Sequence, residues 1–334
     1  MLSRASNSLR SERVLKCSDG MKLAAVQWKR NQPSTENATI SRRILCLHGW
    51  LDNAASFNLL SPHLTQHWDG DVVALDLPGH GHSSHRSQDG PMLHLSDSTF
   101  YVAEATKQLG WWNKNSGSDD DDLPLTVLGH SMGAGVAVLF AATYPELVHS
   151  LVLLEGAAPF IPRPSKDHLF LDELRNSCDQ RIRQNPMLYP QNRNPTVFPT
   201  LEVAVQARMD FVSKYSPGKQ YISREAATEI VTRGTALQDG GGSSVTFRHD
   251  PRLQWPSLRQ FSQEQVKELL WTGVACPTYL IQTKDGWPID PETQRTIEDM
   301  QTLKKHSWLD RGSHHFHADP SCLEELVGHL KDIF

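Results

Sequence analysis

Leu123-Pro-Leu-Thr-Val-Leu-Gly-His-Ser-Met-Gly-Ala-Gly-Val-Ala-Val-Leu-Phe-Ala-Ala142 is the stretch that decides the fold. Leu125 to Leu128 reads as a short buried strand, Gly129 to Gly133 as a tight turn, and the small apolar residues beyond it as a helix ending near Tyr144-Pro145. A Gly-x-Ser-x-Gly turn between a strand and a helix presents its serine hydroxyl as a nucleophile. Ser131 is expected in a strained backbone conformation. Gly129 and Gly133 have no Cβ, so the strand and helix can cross closely. The helix start then aims its free N–H groups and positive dipole end at the place where an oxyanion would form. The five-residue pattern alone would occur by chance in about one chain in ten of this length; the strand and helix on its flanks lift it above chance.

Outward from that unit, the pattern is one of strands alternating with helices. Upstream, Arg43 to Leu47 and Asp71 to Asp76 are continuous apolar runs, as expected of parallel strands buried on both faces. The first leads directly into His48-Gly49-Trp50 and the second into Leu77 to Ser83. Arg13 to Trp28 reads as a hairpin around Asp19-Gly20. Asp97 to Leu109 has helical spacing of apolar residues, and the aspartate-rich Asn113 to Asp122 reads as a solvated loop. Downstream, His149 to Leu154 is a further strand. After Glu155 the alternation breaks: helical stretches such as Leu201 to Val212 and Ser223 to Thr232 are joined by Pro-rich segments and a Gly-rich loop at 239–244. Alternation resumes with a strand at Pro277 to Gln282, a helix at Pro291 to Leu303, a strand at His306 to Leu309 and a helix at Pro320 to Phe334. The expectation is an α/β core with a mostly parallel sheet, helices on both faces and an inserted helical cap. Its divisions are a disordered tail over 1–12, core over 13–157, cap over 158–270 and core again over 271–334.

Composition fits an ordinary globular chain. The 334 residues are 38% apolar and 21% charged, with a formal net charge of −5. No basic stripe is present, which argues against nucleic acid as a partner. No apolar run approaches the roughly 18 residues of a membrane span. Five scattered cysteines without C-x-x-C spacing read as core thiols in a reducing compartment, and hence a cytoplasmic protein. The Ser- and Arg-rich first residues give an organellar address as the alternative.

A serine hydroxyl needs a base to take its proton, and the base needs an acid to fix its tautomer. In strand-turn-helix enzymes of this kind the order along the chain is serine, acid, histidine, each in a loop after a strand. Gly312-Ser-His-His-Phe-His317 follows the last strand, which makes His314 the first choice of base and His315 the alternative. Three close histidines could also bind metal, but no carboxylate or cysteine ligand pattern accompanies them, and no metal is expected. For the acid, Asp285 in the turn after the Tyr279 to Gln282 strand is preferred, and Glu155 at the end of the preceding strand is the alternative. An oxyanion hole would use the backbone N–H groups of Met132 and Trp50.

His48-Gly-Trp-Leu-Asp-Asn-Ala-Ala-Ser-Phe57, Asp76-Leu-Pro-Gly-His-Gly-His-Ser83, Gly129-His-Ser-Met-Gly133, Gln282-Thr-Lys-Asp-Gly-Trp-Pro288 and Gly312 to His317 together resemble the α/β-hydrolase superfamily, and within it the serine hydrolase-like proteins. The likeness runs from about Val14 to the C-terminus and includes Asp250-Pro-Arg-Leu253. It implies a lidded Ser-Asp-His hydrolase that works without a cofactor on a small-molecule substrate, through an acyl-enzyme. An ester or thioester is the expected substrate. Carbon–carbon bond hydrolysis is the runner-up, and a ligand receptor that retains the triad is the reading from another class. The cap is expected to select the substrate, with Phe160, Leu169, Phe170, Phe198 and Phe211 as candidate pocket residues. The sequence leaves oligomeric state open.

Overall fold

A computed structural model describes residues 8–30, 41–87, 93–112, 124–158, 170–185, 195–238, 242–258, 261–289 and 291–333, with Gly90 and Leu188. The aspartate run, Phe160 and Leu169 lie outside the described residues.

The chain opens with an antiparallel hairpin, β1 (Ser8–Lys16) and β2 (Lys22–Arg30), paired from Ser8↔Arg30 to Lys16↔Lys22 around the Asp19-Gly20 turn. β1 starts five residues ahead of the expected hairpin, so residues 8–12 are strand and not tail. Their side chains are largely exposed, with charged Arg10, Glu12 and Arg13 among them, and this hides the strand from an apolar-pattern search. Charges of this kind also suit an edge strand, which must resist pairing with other chains. There follow β3 (Ser41–Leu47), α1 (Ser61–His67), β4 (Asp69–Leu75), α2 (Asp97–Gln108), β5 (Leu125–His130), α3 (Met132–Thr143) and β6 (Val148–Leu154).

Between β6 and the next core strand lie α4 (Phe170–Gln184), β7 (Val197–Phe198), α5 (Leu201–Tyr215), α6 (Arg224–Gly234), β8 (Thr235–Leu237), β9 (Val245–Phe247) and the short α7 (Gln263–Lys267). The core closes with β10 (Thr278–Thr283), α8 (Pro291–Glu298), β11 (Leu303–Leu309) and α9 (Leu323–Lys331). The cap is thus not purely helical. β7, β9 and β8 form a small antiparallel sheet, whose strands of two and three residues are too short to show a period.

The main sheet has eight strands in the order β1-β2-β4-β3-β5-β6-β10-β11. β2 pairs antiparallel with both neighbours, and every pair from β4 to β11 is parallel. Parallel strands covered on both faces read as continuous apolar runs, and β5 is buried along its whole length. Side chains of α2 and α3 such as Val102, Val136 and Phe140 fill the layer on one face. Leu64 of α1 and Leu326 and Leu330 of α9 fill the other.

The cap has its own apolar core, built from Ala204, Val205, Ala227, Ile230 and Val231 of α5 and α6. Ala318 of the core joins this cluster, and polar contacts add to the attachment. Arg233 of α6 donates from Nε to both oxygens of the fully buried Asp76 at 3.0 Å and from Nη1 to both oxygens of Glu12 at 2.9 Å. Arg208 of α5 donates to Asp52 at 2.6 Å. Asn53 donates to the Ile230 carbonyl at 2.8 Å, and Asp250 N donates to the Gly79 carbonyl at the same distance. Removing one partner from a buried ion pair of this kind costs about 3–5 kcal/mol, because the other charge is left in low dielectric.

The four buried cysteines behave as core residues. Burial pushes the Cys17 thiol up to about 12 and that of Cys276 to about 11, and raises Cys46 and Cys322 as well. Such thiols stay protonated and unreactive. Among the described residues no helix is long and apolar enough to cross a membrane.

Candidate active site

The site is assembled where β5, β6, β10 and β11 end. Ser131 links β5 to α3 with φ 52° and ψ −117°, outside the regions open to ordinary L-residues. What holds it there is close crossing of strand and helix. A Cβ at Gly133 would come within 2.1 Å of the Leu47 carbonyl oxygen, and one at Gly129 within 2.5 Å of the Gly133 carbonyl oxygen. The two glycines of the motif are therefore required by space.

Ser131 is tied on both sides to the residues that matter next. Its N–H donates to the carbonyl of Leu154, the residue before Glu155, at 2.9 Å. Its neighbour His130 bonds through Nε2 to the His314 carbonyl at 2.8 Å. Met132 opens α3, so its N–H is among those a helix leaves without an internal partner.

The structure brings Glu155, and not Asp285, to His314. His314 Nδ1 lies 3.4 Å from Glu155 Oε2, with both side chains buried. Asp285 is exposed, and its carboxylate makes no hydrogen bond or ion pair with His314 among the described contacts; its carbonyl accepts from Gln220 of the cap at 2.8 Å. This differs from the contact expected of Asp285, and the physical reason lies in the turn after β10. That turn is a cradle for the Glu155 carboxylate: Thr283 N donates to Oε1 at 2.7 Å and Trp287 N to Oε2 at 3.1 Å. Between them Gly286 leaves room, since a Cβ there would sit 2.3 Å from Oε2. Glu155 itself has a left-handed φ of 51°, which turns the chain at the end of β6.

His314 is held on three further sides. The Trp287 indole stacks on its ring at 4.6 Å and 17°. Its N–H donates to Gln220 Oε1 at 2.8 Å, and the hydroxyl of the adjacent Ser313 donates to the Tyr221 carbonyl. Burial, with a smaller contribution from His315, lowers His314 to about 3. Burial also raises Glu155 to about 7, against the pull of the Thr283 and Trp287 amides. Both shifts have one origin: an enclosed site disfavours charge on either partner.

His315 faces elsewhere. Its Nε2 is 3.6 Å from Asp52 Oδ2, and the same oxygen lies 3.9 Å from His130 Nδ1. Burial would raise the Asp52 carboxyl, but His315, Arg208 and His130 together hold it well below the usual carboxylate range. His317 packs its ring 3.9 Å from that of His130. Among the described residues, no three of these His, Cys, Asp and Glu side chains are arranged to hold a metal ion. Trp50, half-exposed, donates from its indole to the Leu253 carbonyl at 2.9 Å, which gives Asp250 to Leu253 a role in fixing the loop after β3.

Sequence reasoning missed Trp287, Gln220, His130 and the Asp52–Arg208 pair. Trp287, His130 and Asp52 all lie within the quoted motif stretches, so the signal for them was there; Gln220 and Arg208 come from cap helices and turns with no motif.

Sheet order, strained serine and buried histidine–carboxylate pair define a hydrolase of the α/β-hydrolase fold. A profile of the alpha/beta hydrolase fold matches residues 42–317. A serine hydrolase-like protein of Danio rerio is 31% identical over 310 residues, 90% of this chain and 85% of its own. A solved hypothetical protein of Pseudomonas aeruginosa PAO1 superposes with a TM-score of 0.73 at 29% identity, covering 98% of this chain and 99% of that one. A monoacylglycerol lipase of Mycolicibacterium smegmatis is 29% identical over 155 residues, 46% of this chain and 48% of its own. The chain belongs to the α/β-hydrolase family, among its serine hydrolase-like members.

Proposed function

We propose that the chain hydrolyses a carboxylic ester or thioester, with Ser131 as nucleophile, His314 as base and Glu155 as the acid that orients it. The observation that carries this reading is the His314 Nδ1 to Glu155 Oε2 contact, made by the loops that also fasten Ser131. In the first step Ser131 Oγ bonds to the carbonyl carbon while His314 Nε2 takes its proton. The resulting oxyanion is received by the N–H groups of Met132 and Trp50. Collapse expels the alcohol or thiol, which takes the proton from His314 and leaves an acyl-Ser131. Water then attacks the acyl carbon, His314 takes a proton from it, and the acid is released as Ser131 regains its hydrogen.

Glu155 has two tasks in this sequence. As a carboxylate it accepts from Nδ1–H, which keeps Nε2 free of hydrogen and ready to act as base. Once His314 is protonated, it also compensates the imidazolium in a site that burial makes hostile to charge. The named activity of the lipase relative lends support to the ester class. Incubation with a fluorophosphonate probe is the test. Wild type is expected to label and Ser131→Ala to remain unlabelled, with kcat on a 4-nitrophenyl ester falling by about 10⁶. Equal labelling of the two would end the assignment.

A further inference from the structure

Between the cap and the core lies a cavity of about 320 Å³, the lower end of the size range of small-ligand sites. The core side of its wall is Leu51 to Asn53 and Gly81, and the cap side comes from α5, α6 and the small sheet. Ser131 and His314 are not among its lining residues, so the proposed reaction leaves it without a task. It nevertheless adjoins the site, because Leu51 and Asp52 directly follow Trp50 and Asp52 faces His315.

The wall has two chemistries. Phe198, Phe211 and Phe247 present an aromatic, apolar surface, and Phe198 meets Phe247 edge to face with ring centres 5.2 Å apart. Against them stands Arg208, 8% exposed, with its guanidinium 5.9 Å from the Phe211 ring centre. Nη2 of Arg208 is taken by Asp52, while its Nε is buried with no hydrogen-bond partner. A buried donor left unpaired is costly, and a guanidinium has five N–H groups to satisfy. Asp52 occupies only one of those N–H groups, through Oδ1, while its other oxygen faces His130 and His315. His249 and Gln254, 2.9 Å apart, line the same cavity. Burial, and then Arg208, lower His249 to about 4, so near neutral pH its imidazole is uncharged and carries one N–H to donate. If Arg208 served only to latch the cap to Asp52, neither its unpaired Nε nor the aromatic space before it would have a use.

We propose that this cavity binds the carboxylate end of an unbranched apolar acid, with Arg208 as the anchor and the three phenylalanines as the walls. A planar guanidinium matches a carboxylate two bonds at a time, and aromatic walls accept a methylene chain without asking for hydrogen bonds. The acid would be either the far end of the substrate or a free fatty acid.

Calorimetry on Ser131→Ala with octanoate and with 1-octanol tests the site independently of the proposed chemistry. Octanoate is expected to bind about tenfold or more tighter than the alcohol. Adding Arg208→Gln should bring the two within about twofold. Equal binding of both ligands to Ser131→Ala, or a preference that survives Arg208→Gln in a folded protein, overturns the proposal. If Arg208→Gln does not fold, Ala207→Phe decides, because it fills the cavity and leaves the Arg208–Asp52 pair in place. Loss of octanoate binding there supports the site, and unchanged binding overturns it. Octanoate binding to Ser131→Ala alongside a wild type that hydrolyses no ester would remove the proposed function and leave the cavity standing. In an active wild type, inhibition confined to KM for 4-nitrophenyl octanoate identifies the substrate's far end; inhibition that also lowers kcat identifies a separate acid. Both uphold the carboxylate site.

Discussion

The ends of β6 and β10 are neighbours, both carry an acid, and they do opposite things with it. Glu155 leaves β6 in a left-handed turn, 6% exposed, with its carboxylate gripped by two backbone N–H groups and set against His314. Asp285 leaves β10 exposed to water, and its turn serves as the cradle for the other strand's carboxylate. Position after a strand is therefore not sufficient to bring a carboxylate to His314. What decides is which carboxylate is enclosed, and Gly286 is the residue that lets the longer side chain in.

The largest effect expected from this contrast is in Glu155→Gln. An amide at Nδ1 favours the wrong imidazole tautomer, and kcat should fall by about 10⁴, the loss for the equivalent change in a serine protease. A loss below tenfold would move the acid elsewhere.

Next in size is the response to pH. Because burial raises Glu155 to about 7, its carboxyl takes up a proton as pH falls through that value. The protonated acid then donates to Nδ1, Nε2 keeps its hydrogen, and the base is lost. kcat/KM should decline by about tenfold per pH unit below that midpoint. A rate that stays flat from pH 8 to pH 5 would contradict it. The same shift acts on stability with the sign of a raised acid. Folded Glu155 holds its proton more tightly than in the unfolded chain, so its contribution is greatest below about pH 4.5 and is lost as pH rises through about 7.

Gly286→Ala probes the cradle without replacing either acid. The added methyl would meet the Glu155 carboxylate, and kcat is expected to fall about 10- to 100-fold through displacement of that group; Asp285→Asn, at the foot of the scale, should change kcat by less than about threefold. A steady-state comparison of the two variants on one ester gives the ranking, and its reversal would restore Asp285.

Much of this was legible in the chain itself. The Gly-x-Ser-x-Gly turn and the continuous apolar strands were enough for the core sheet, because a buried parallel strand and a tight crossing each demand particular residues. The two candidate acids were both visible. Their ranking was not, since sequence gives the place where a strand ends and says nothing of where a side chain reaches. Asp52 and Arg208 are 156 residues apart, and no local period links them. The strands of the cap sheet are shorter than any repeat that could announce them.

The Glu12–Arg233–Asp76 junction has a consequence for how the chain folds. Its partners are separated by 221 and 157 residues, so no segment of the insertion can complete it alone. The guanidinium can be fully paired only after the first hairpin has joined the sheet and the loop after β4 has closed. Contacts of such sequence separation form late, since their loop closure must come before the gain. Docking of α6 thus serves as a checkpoint: the cap closes on a core whose outer edge is already built, and a core with a missing edge strand leaves the buried Arg233 without its Glu12 partner, held by Asp76 alone.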